Sequence, residues 1–413
     1  MIGGCDLDDL AREHGTPLVV YDEGHLRRTA HAFVDAMARH APGGEVIYAS
    51  KAYWGLAMLR LANESGLAVD VASGGELHAA LAAGVPAERI YMHGNNKDDR
   101  EVQELLSAGV GTVVLDGFDE LERLERAAAQ RGVSQRVLIR VTPGVSGDTH
   151  EYISTGQVDS KFGFPLASGD AAVAIDQARR SEHLALAGLH VHIGSQLLEL
   201  SGFRSAAAVL ARLVASAGPD DLGLINMGGG LGVAYTRGQQ PPSIDEFVGT
   251  VAESVRSAWA AEGLGMPRLA IEPGRAMVAR AGVTVYRVGG VKDIPGVRRY
   301  VSVDGGMSDL LRPMLYGATY EALRVTAPED PPGAPVRLVG KHCESGDVLV
   351  SEAHLPEVEV GDLVCLAATG AYGVAMASNY NGIARAAVLF VDAGRARVVT
   401  RRETYADLLS REQ

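Results

Sequence analysis

Short apolar runs recur along the first two thirds of the chain, and longer stretches with helical spacing separate them. The runs cover residues 46–49, 68–72, 89–93, 112–116, 136–141, 187–193, 222–227 and 268–273. Continuous apolar runs of this length predict strands buried on both faces of a parallel sheet. Amphipathic stretches at 55–65, 76–83, 118–131 and 244–262 predict helices between them. Eight strands alternating with helices over roughly 230 residues predict a (β/α)8 barrel. The longest gap, between the fifth and sixth strands, contains 144–164 and is expected to be an inserted active-site loop. After Gly274 the texture changes. Runs at 283–288, 300–304, 336–339, 347–350, 363–366, 387–391 and 397–400 succeed one another with turn signals and little helix. They predict an all-β domain, a sandwich or barrel, and residues 18–21 are expected to add a strand to it. The expected organisation is a barrel over 25–278 and a β domain built from 1–24 and 279–413.

Composition narrows the function. The 413 residues are 47% apolar and 22% charged, a globular mix, with net charge -13. That acidity argues against nucleic acid as a partner. The uncharged stretch 363–384 contains Gly370, Gly373, Asn379, Asn381 and Gly382, so it reads as a buried strand and glycine loop, with no membrane span. The N-terminus shows no signal-peptide pattern, and Cys5, Cys343 and Cys365 form no C-x-x-C pair. Both features point to a reducing cytoplasm. Only five of the 38 basic residues are lysines: Lys51, Lys97, Lys161, Lys292 and Lys341. An amine can lose its proton and form a Schiff base where a guanidinium cannot, so a lysine kept in such a chain is a candidate for chemistry.

Barrel active sites lie at the C-terminal ends of the strands. There the sequence places Lys51, Asp70, His93, Arg140, His190, His192, the triplet Gly228-Gly229-Gly230, and Glu272. Lys51 comes just after an apolar strand, so its amine is expected to be partly desolvated and more easily deprotonated. The glycine triplet lets backbone N–H groups approach an anion. Glu272, ahead of Pro273-Gly274-Arg275, is suited to keep a heteroaromatic nitrogen protonated. A lysine, an anion loop and such a carboxylate together meet the requirements of pyridoxal 5′-phosphate. His190-Val-His192 resembles a metal-binding pair, but the strand order is reversed and no further ligands stand out, so no metal is expected.

These motifs resemble the fold-type III pyridoxal-phosphate decarboxylases, which act on ornithine, diaminopimelate or arginine. The resemblance rests on Tyr48-Ala-Ser-Lys51-Ala, Asp70-Val-Ala-Ser-Gly-Gly-Glu76, His93-Gly-Asn-Asn-Lys97, His190-Val-His-Ile-Gly-Ser-Gln196, Gly228-Gly-Gly-Leu-Gly232 and Glu272-Pro-Gly-Arg275. Within the family, Arg140-Val-Thr-Pro-Gly144, His150-Glu-Tyr-Ile-Ser-Thr-Gly156, Asp159-Ser-Lys-Phe-Gly163, Val303-Asp-Gly-Gly-Met307, Arg312-Pro-Met-Leu-Tyr316 and His342-Cys-Glu-Ser-Gly-Asp347 resemble the diaminopimelate decarboxylases. The match runs in order over nearly the whole chain.

The resemblance implies a role for each matching position. Lys51 carries the cofactor, Asp70 lies near it, and His192 stacks on the cofactor ring. Ser195, Gly229 and Gly230, Pro273, Gly274 and Arg275, and Tyr372 hold the phosphate, while Glu272 pairs with the ring nitrogen. Arg275, Arg312, Tyr316, Glu344 and Tyr372 bind substrate. Cys343, the proton donor, and Glu344 enter from the partner subunit of a homodimer. The implied reaction turns meso-diaminopimelate into L-lysine and CO2. Two arginines suit a distal carboxylate, which an ornithine-type substrate lacks. Tyr53-Trp54 and His342 depart from the common pattern and keep ornithine, arginine, carboxynorspermidine or a carrier-bound amino acid open as substrates. A non-catalytic pyridoxal-phosphate-binding protein is opposed by the presence of both Lys51 and Cys343.

Overall fold

The apolar runs become strands in a computed structural model that describes residues 1–144, 160–326 and 330–413. Strand β1 (Leu18–Asp22) is followed by β2 (Glu45–Ala49), β3 (Ala68–Val71), β4 (Ile90–Met92), β5 (Thr112–Leu115), β6 (Gln135–Thr142) and β7 (Phe164–Pro165). Next come β8 (Leu184–His190), β9 (Leu224–Asn226) and β10 (Arg268–Ile271). The chain separates into two compact units. One comprises Thr29–Gly232 and Pro241–Gly274; the other comprises Met1–Arg28, Val233–Gln240 and Arg275–Gln413.

The first unit is the barrel. Its parallel strands run β5-β4-β3-β2-β10-β9-β8-β6, and β6 pairs back to β5 to close the ring. The expected helices form between strands, at Leu56–Glu64, Gly74–Ala82, Phe118–Arg131 and Ile244–Ala261. Ser243 caps the last of these: its hydroxyl accepts from the Glu246 N–H while the Glu246 side chain reaches back to the Ser243 N–H. Such caps fix where each helix starts, and so how long the preceding strand-end loop is. Of the expected loop at 144–164, residues 145–159 lie outside the described residues.

One apolar cluster fills the barrel. Ile47, Ala68, Tyr91, Val114, Leu138, Leu224 and Ala270 form it, and Ala187 packs against it, so each of the eight strands contributes one residue. A strand presents the same face every second residue. Two residues beyond the cluster, towards the C-terminal ends, come Asp70, His93, Asp116, Arg140, Asn226 and Glu272, all buried. The strand period therefore places a polar layer directly on the apolar one. Strand β8 joins that layer by a correction: its register with β6 slips between Val137–Leu186 and Leu138–Gly188, leaving Ala187 as an extra residue. The bulge reverses the parity of the residues beyond it and brings His190 into the polar layer.

The second unit is built on a mixed sheet of β11 (Gly282–Ile294), β12 (Arg298–Val303), β13 (Ala322–Arg324), β14 (Val336–Val339), β15 (Val348–Ala353), β16 (Leu363–Leu366), β17 (Ala387–Asp392) and β18 (Arg395–Thr400), joined by β1. As expected, β1 belongs here, antiparallel to β11 and parallel to β17. β11 pairs with β1 and β16 through its first half and with β12 through its second, and its register shifts between Val288 and Gly290. Cys5, Leu10, Leu18, Val20, Val285, Cys365 and Leu389 are among the residues of its core. The three-residue β13 and the short helix Arg312–Tyr316 carry no periodic signal that the sequence could show.

Candidate active site

At the barrel rim the polar layer is organised around Glu272. Its Oε1 accepts from Asn226 Nδ2 at 2.7 Å and lies 2.9 Å from His93 Nε2. Its Oε2 lies 3.0 Å from His190 Nε2. The two imidazoles meet edge to face, with centroids 4.8 Å apart. Burial pushes the Glu272 carboxyl up, but His93 and His190 outweigh it and hold the group well below the usual carboxylate range. His93 shifts up, because Glu272 and Asp70 together overcome the burial that opposes its charge. His190 moves the other way, to about 4, with burial the largest cause. It therefore donates to Glu272 as a neutral imidazole, and its buried Nδ1 has no hydrogen-bond partner among the described residues. Asp70 is pushed up to about 6 by burial and by Glu272, against the pull of His93 and Lys51. The ligating atoms of His93, His190 and Glu272 lie within 4.8 Å of one another, a spacing their mutual hydrogen bonds account for.

The glycine loop adjoins this carboxylate. Asn226 Oδ1 accepts from the Gly228 N–H at 2.9 Å, so one side chain ties the loop to Glu272. A Cβ on Gly229 would lie 2.2 Å from the Glu272 carbonyl oxygen, and one on Gly230 would lie 2.7 Å from the Gly194 carbonyl oxygen. Only glycine fits at these two positions. The loop is laced to the segment carrying Ser195: the Leu197 N–H donates to the Gly230 carbonyl, and the Gly232 N–H to the Leu197 carbonyl, both at 2.9 Å. Gln196, next to Ser195, has a positive φ of 60°. His192 Nδ1 accepts from the Gly229 N–H at 3.3 Å. That bond requires a bare Nδ1, and burial, with Lys51 the next cause, pushes the imidazole well below its ordinary range, so the ring is neutral.

Lys51 sits in a 3-10 turn, Ser50–Ala52, just beyond the end of β2, and the residue is exposed. Its charge still reaches Asp70 and His192, whose proton affinities it lowers. Arg140 is tied down in the same layer. Its Nη1 lies 3.3 Å from Asp116 Oδ2, and its guanidinium stands 4.4 Å from the Phe162 ring centroid. Pro273 and Gly274 are buried, and a Cβ on Gly274 would come within 3.0 Å of the Ala49 side chain.

The second unit brings together Arg275, Arg312 and Tyr372 with two tyrosines that the sequence did not single out. Arg275 Nη1 donates to the Tyr235 hydroxyl at 2.5 Å, and Arg312 Nη1 donates to the Tyr320 hydroxyl. The Arg275 guanidinium stands 4.9 Å from the Tyr372 ring centroid. Tyr372 has a φ of 59°, a conformation rare outside glycine and common where function constrains the backbone. Tyr316 is half-buried at the end of the Arg312–Tyr316 helix. Cys343 and Glu344 are exposed on a loop with a rigid base. The loop is anchored where His342 Nδ1 meets Asp347 Oδ2 at 2.7 Å and the Cys343 N–H donates to Asn381 Oδ1 at 3.0 Å. Asn226 could have been found from the two-residue strand step. Tyr235 and Tyr320 lie in irregular segments and leave no such signal.

The barrel residues fit pyridoxal phosphate: an ionised carboxylate held by two imidazoles, a glycine cradle with no room for side chains, a neutral histidine and an accessible amine. Comparison with known proteins agrees. Residues 23–279 match the family model described as pyridoxal-dependent decarboxylase, pyridoxal binding domain. The diaminopimelate decarboxylase of Bacillus subtilis is 46% identical over 412 residues, covering 99% of this chain and 94% of that protein. The Mycobacterium bovis diaminopimelate decarboxylase is 45% identical, covering 100% and 94%. The crystal structure of the Helicobacter pylori enzyme complexed with L-lysine superposes with a TM-score of 0.90 at 31% identity, covering 98% of each chain.

Proposed function

The chain belongs to the pyridoxal-dependent decarboxylases, in their diaminopimelate decarboxylase group, and from that premise we propose that it converts meso-2,6-diaminopimelate to L-lysine and CO2, the last step of lysine biosynthesis. The observation that carries the choice of substrate is the buried pair Arg275 and Arg312, both on tyrosine hydroxyls in one unit. Guanidinium pairs match a carboxylate that stays on the product.

Pyridoxal phosphate, when bound, supplies the electron sink for the pair left behind as CO2 departs. Lys51 is the amine that holds it. The loop around Gly230 and Ser195, with Pro273, Gly274 and Tyr372, receive its phosphate. Glu272, kept ionised by His93 and His190, accepts the hydrogen bond of the protonated ring nitrogen. His192, neutral and fixed by the Gly229 N–H, offers a flat face to the ring. Asp70 lies within electrostatic reach of Lys51 and shares the negative charge near the amine. Arg275 and Arg312, with Tyr316 and Tyr372, receive the distal carboxylate, and Glu344 the distal ammonium. Cys343 gives its Sγ proton to the carbon that has lost CO2.

Cys343 and Glu344 act in the site of the other subunit of a homodimer. Their exposure on a braced loop supports that role. The cytoplasm is the compartment in which Cys343 stays a thiol. The experiment is direct: supply meso-diaminopimelate and pyridoxal phosphate and measure CO2 and L-lysine. Stoichiometric formation of both is expected. Turnover of ornithine or arginine, with none of diaminopimelate, overturns the substrate assignment.

A further inference from the structure

Two cations share one aromatic ring in the second unit. The guanidinium carbons of Arg312 and Arg275 stand 5.0 and 5.8 Å from the centroid of Tyr235. Arg312 is also 5.7 Å from the ring of Tyr320, and the two tyrosines meet edge to face at 5.2 Å. All four residues are buried, the most exposed being Tyr235 at 7%. Among the described residues Arg312 is met by a phenol and two ring faces and by no carboxylate. Burying a guanidinium that meets no carboxylate is costly unless an anion joins it.

The hydrogen-bond directions say how that anion is read. Each phenol oxygen accepts an N–H from its own arginine, Tyr235 from Arg275 and Tyr320 from Arg312. A phenol that accepts in this way still has its own O–H to donate. The Tyr320 hydroxyl keeps that proton, because burial, opposed by Arg312, pushes it up to about 12. The cluster thus holds the Arg312 fork and two phenol donors beside Arg275, a set that suits a group rich in lone pairs. A carboxylate offers about four such sites.

We infer that Tyr235 and Tyr320 are positioning residues that make the Arg275–Arg312 pair selective for a substrate with a carboxylate remote from the reacting carbon. The inference rests on the reading that this pair receives that carboxylate. It goes beyond that reading in assigning the selectivity to two phenols, one of them on the Val233–Gln240 segment that joins the second unit from within the span of the barrel. The ring faces hold the cations close, and the hydroxyls set the angle of each fork.

The test uses the cofactor-loaded enzyme and the variants Tyr235→Phe and Tyr320→Phe, which keep the rings and remove one oxygen each. Competitive inhibition is measured with L-lysine, which retains the distal carboxylate, and with cadaverine, which lacks it. Each variant is expected to raise the KM for meso-diaminopimelate and the inhibition constant of L-lysine about tenfold, the weight of one hydrogen bond to a charged group. The cadaverine constant and the cofactor absorbance should stay at native values, and kcat should fall far less than kcat/KM. An unchanged L-lysine constant in both variants overturns the inference. So does equal weakening of L-lysine and cadaverine, which marks a structural role only. A native enzyme that does not turn over meso-diaminopimelate overturns the functional reading instead, and that result appears before any variant is made.

Discussion

Buried side chains around Glu272 show how burial shifts a carboxyl and an imidazole in opposite directions. Asp70 and His190 lie in the same layer and titrate in opposite senses. Native His190 titrates near pH 4, against an ordinary value of 6.5. Between those values unfolding takes up a proton, so stability rises with pH. Native Asp70 keeps its proton to about pH 6, whereas an ordinary aspartate loses it near 3.8. Between those values unfolding releases a proton, so stability falls as pH rises. The windows overlap and the two effects nearly cancel. Asp70→Asn removes the second and leaves the first. The variant should therefore gain on the native protein by one proton's worth of slope, roughly 1.4 kcal/mol per pH unit between about pH 4 and 6. Thermal midpoints of both proteins across that range check the prediction; a constant gap between them contradicts it.

Strand ends and their loops carry the next level of control. β9 stops at Asn226, and the chain turns through Gly228–Gly230 against the end of β10. There the carbonyl oxygen of Glu272 would lie 2.2 Å from any Cβ at Gly229. Gly229→Ala must push the loop off β10. Overpacking of this kind costs about 1–3 kcal/mol, so cofactor affinity should fall about tenfold or more. Absorbance titration of the apoenzyme with pyridoxal phosphate measures it; native affinity would show that the loop is not part of the cradle. Much of this level was legible in the sequence. The eight apolar runs become the eight barrel strands, and Asp70, His93, Arg140, His190 and Glu272 stand out as polar residues closing apolar runs. Asn226 obeys the same step but was masked by the glycines after it. The Ala187 bulge was not legible, because an extra residue in Ala-Gly-Leu-His changes pairing without changing hydrophobicity. Tyr235 and Tyr320 were not legible either. Their meeting depends on where two irregular segments fold back, and no period records that.

The whole molecule adds the question of how many chains complete one site. If Cys343 acts in the partner subunit, Lys51→Ala and Cys343→Ala homodimers are each impaired in a different residue of the same composite site. Mixed under conditions of subunit exchange, half the dimers should carry one intact site, restoring about a quarter of native activity. Exchange is tracked independently with differently tagged chains; full exchange without recovery places both residues in one subunit's site. The two units within a chain raise a different matter. The chain passes from one to the other near residues 28, 232, 240 and 274, so no single cut parts them. The segment Val233–Gln240 leaves for eight residues and returns. Tyr235 is therefore inherited with the stretch of gene that encodes the barrel, while its contacts are made in the other body. A recombination event that exchanged barrels between relatives would carry Tyr235 alone into a new setting and leave Arg275, Arg312 and Tyr320 behind. Cofactor holding and substrate choice are thus bound to descend together, and a chimera joined at the unit boundary would test ancestry as much as folding.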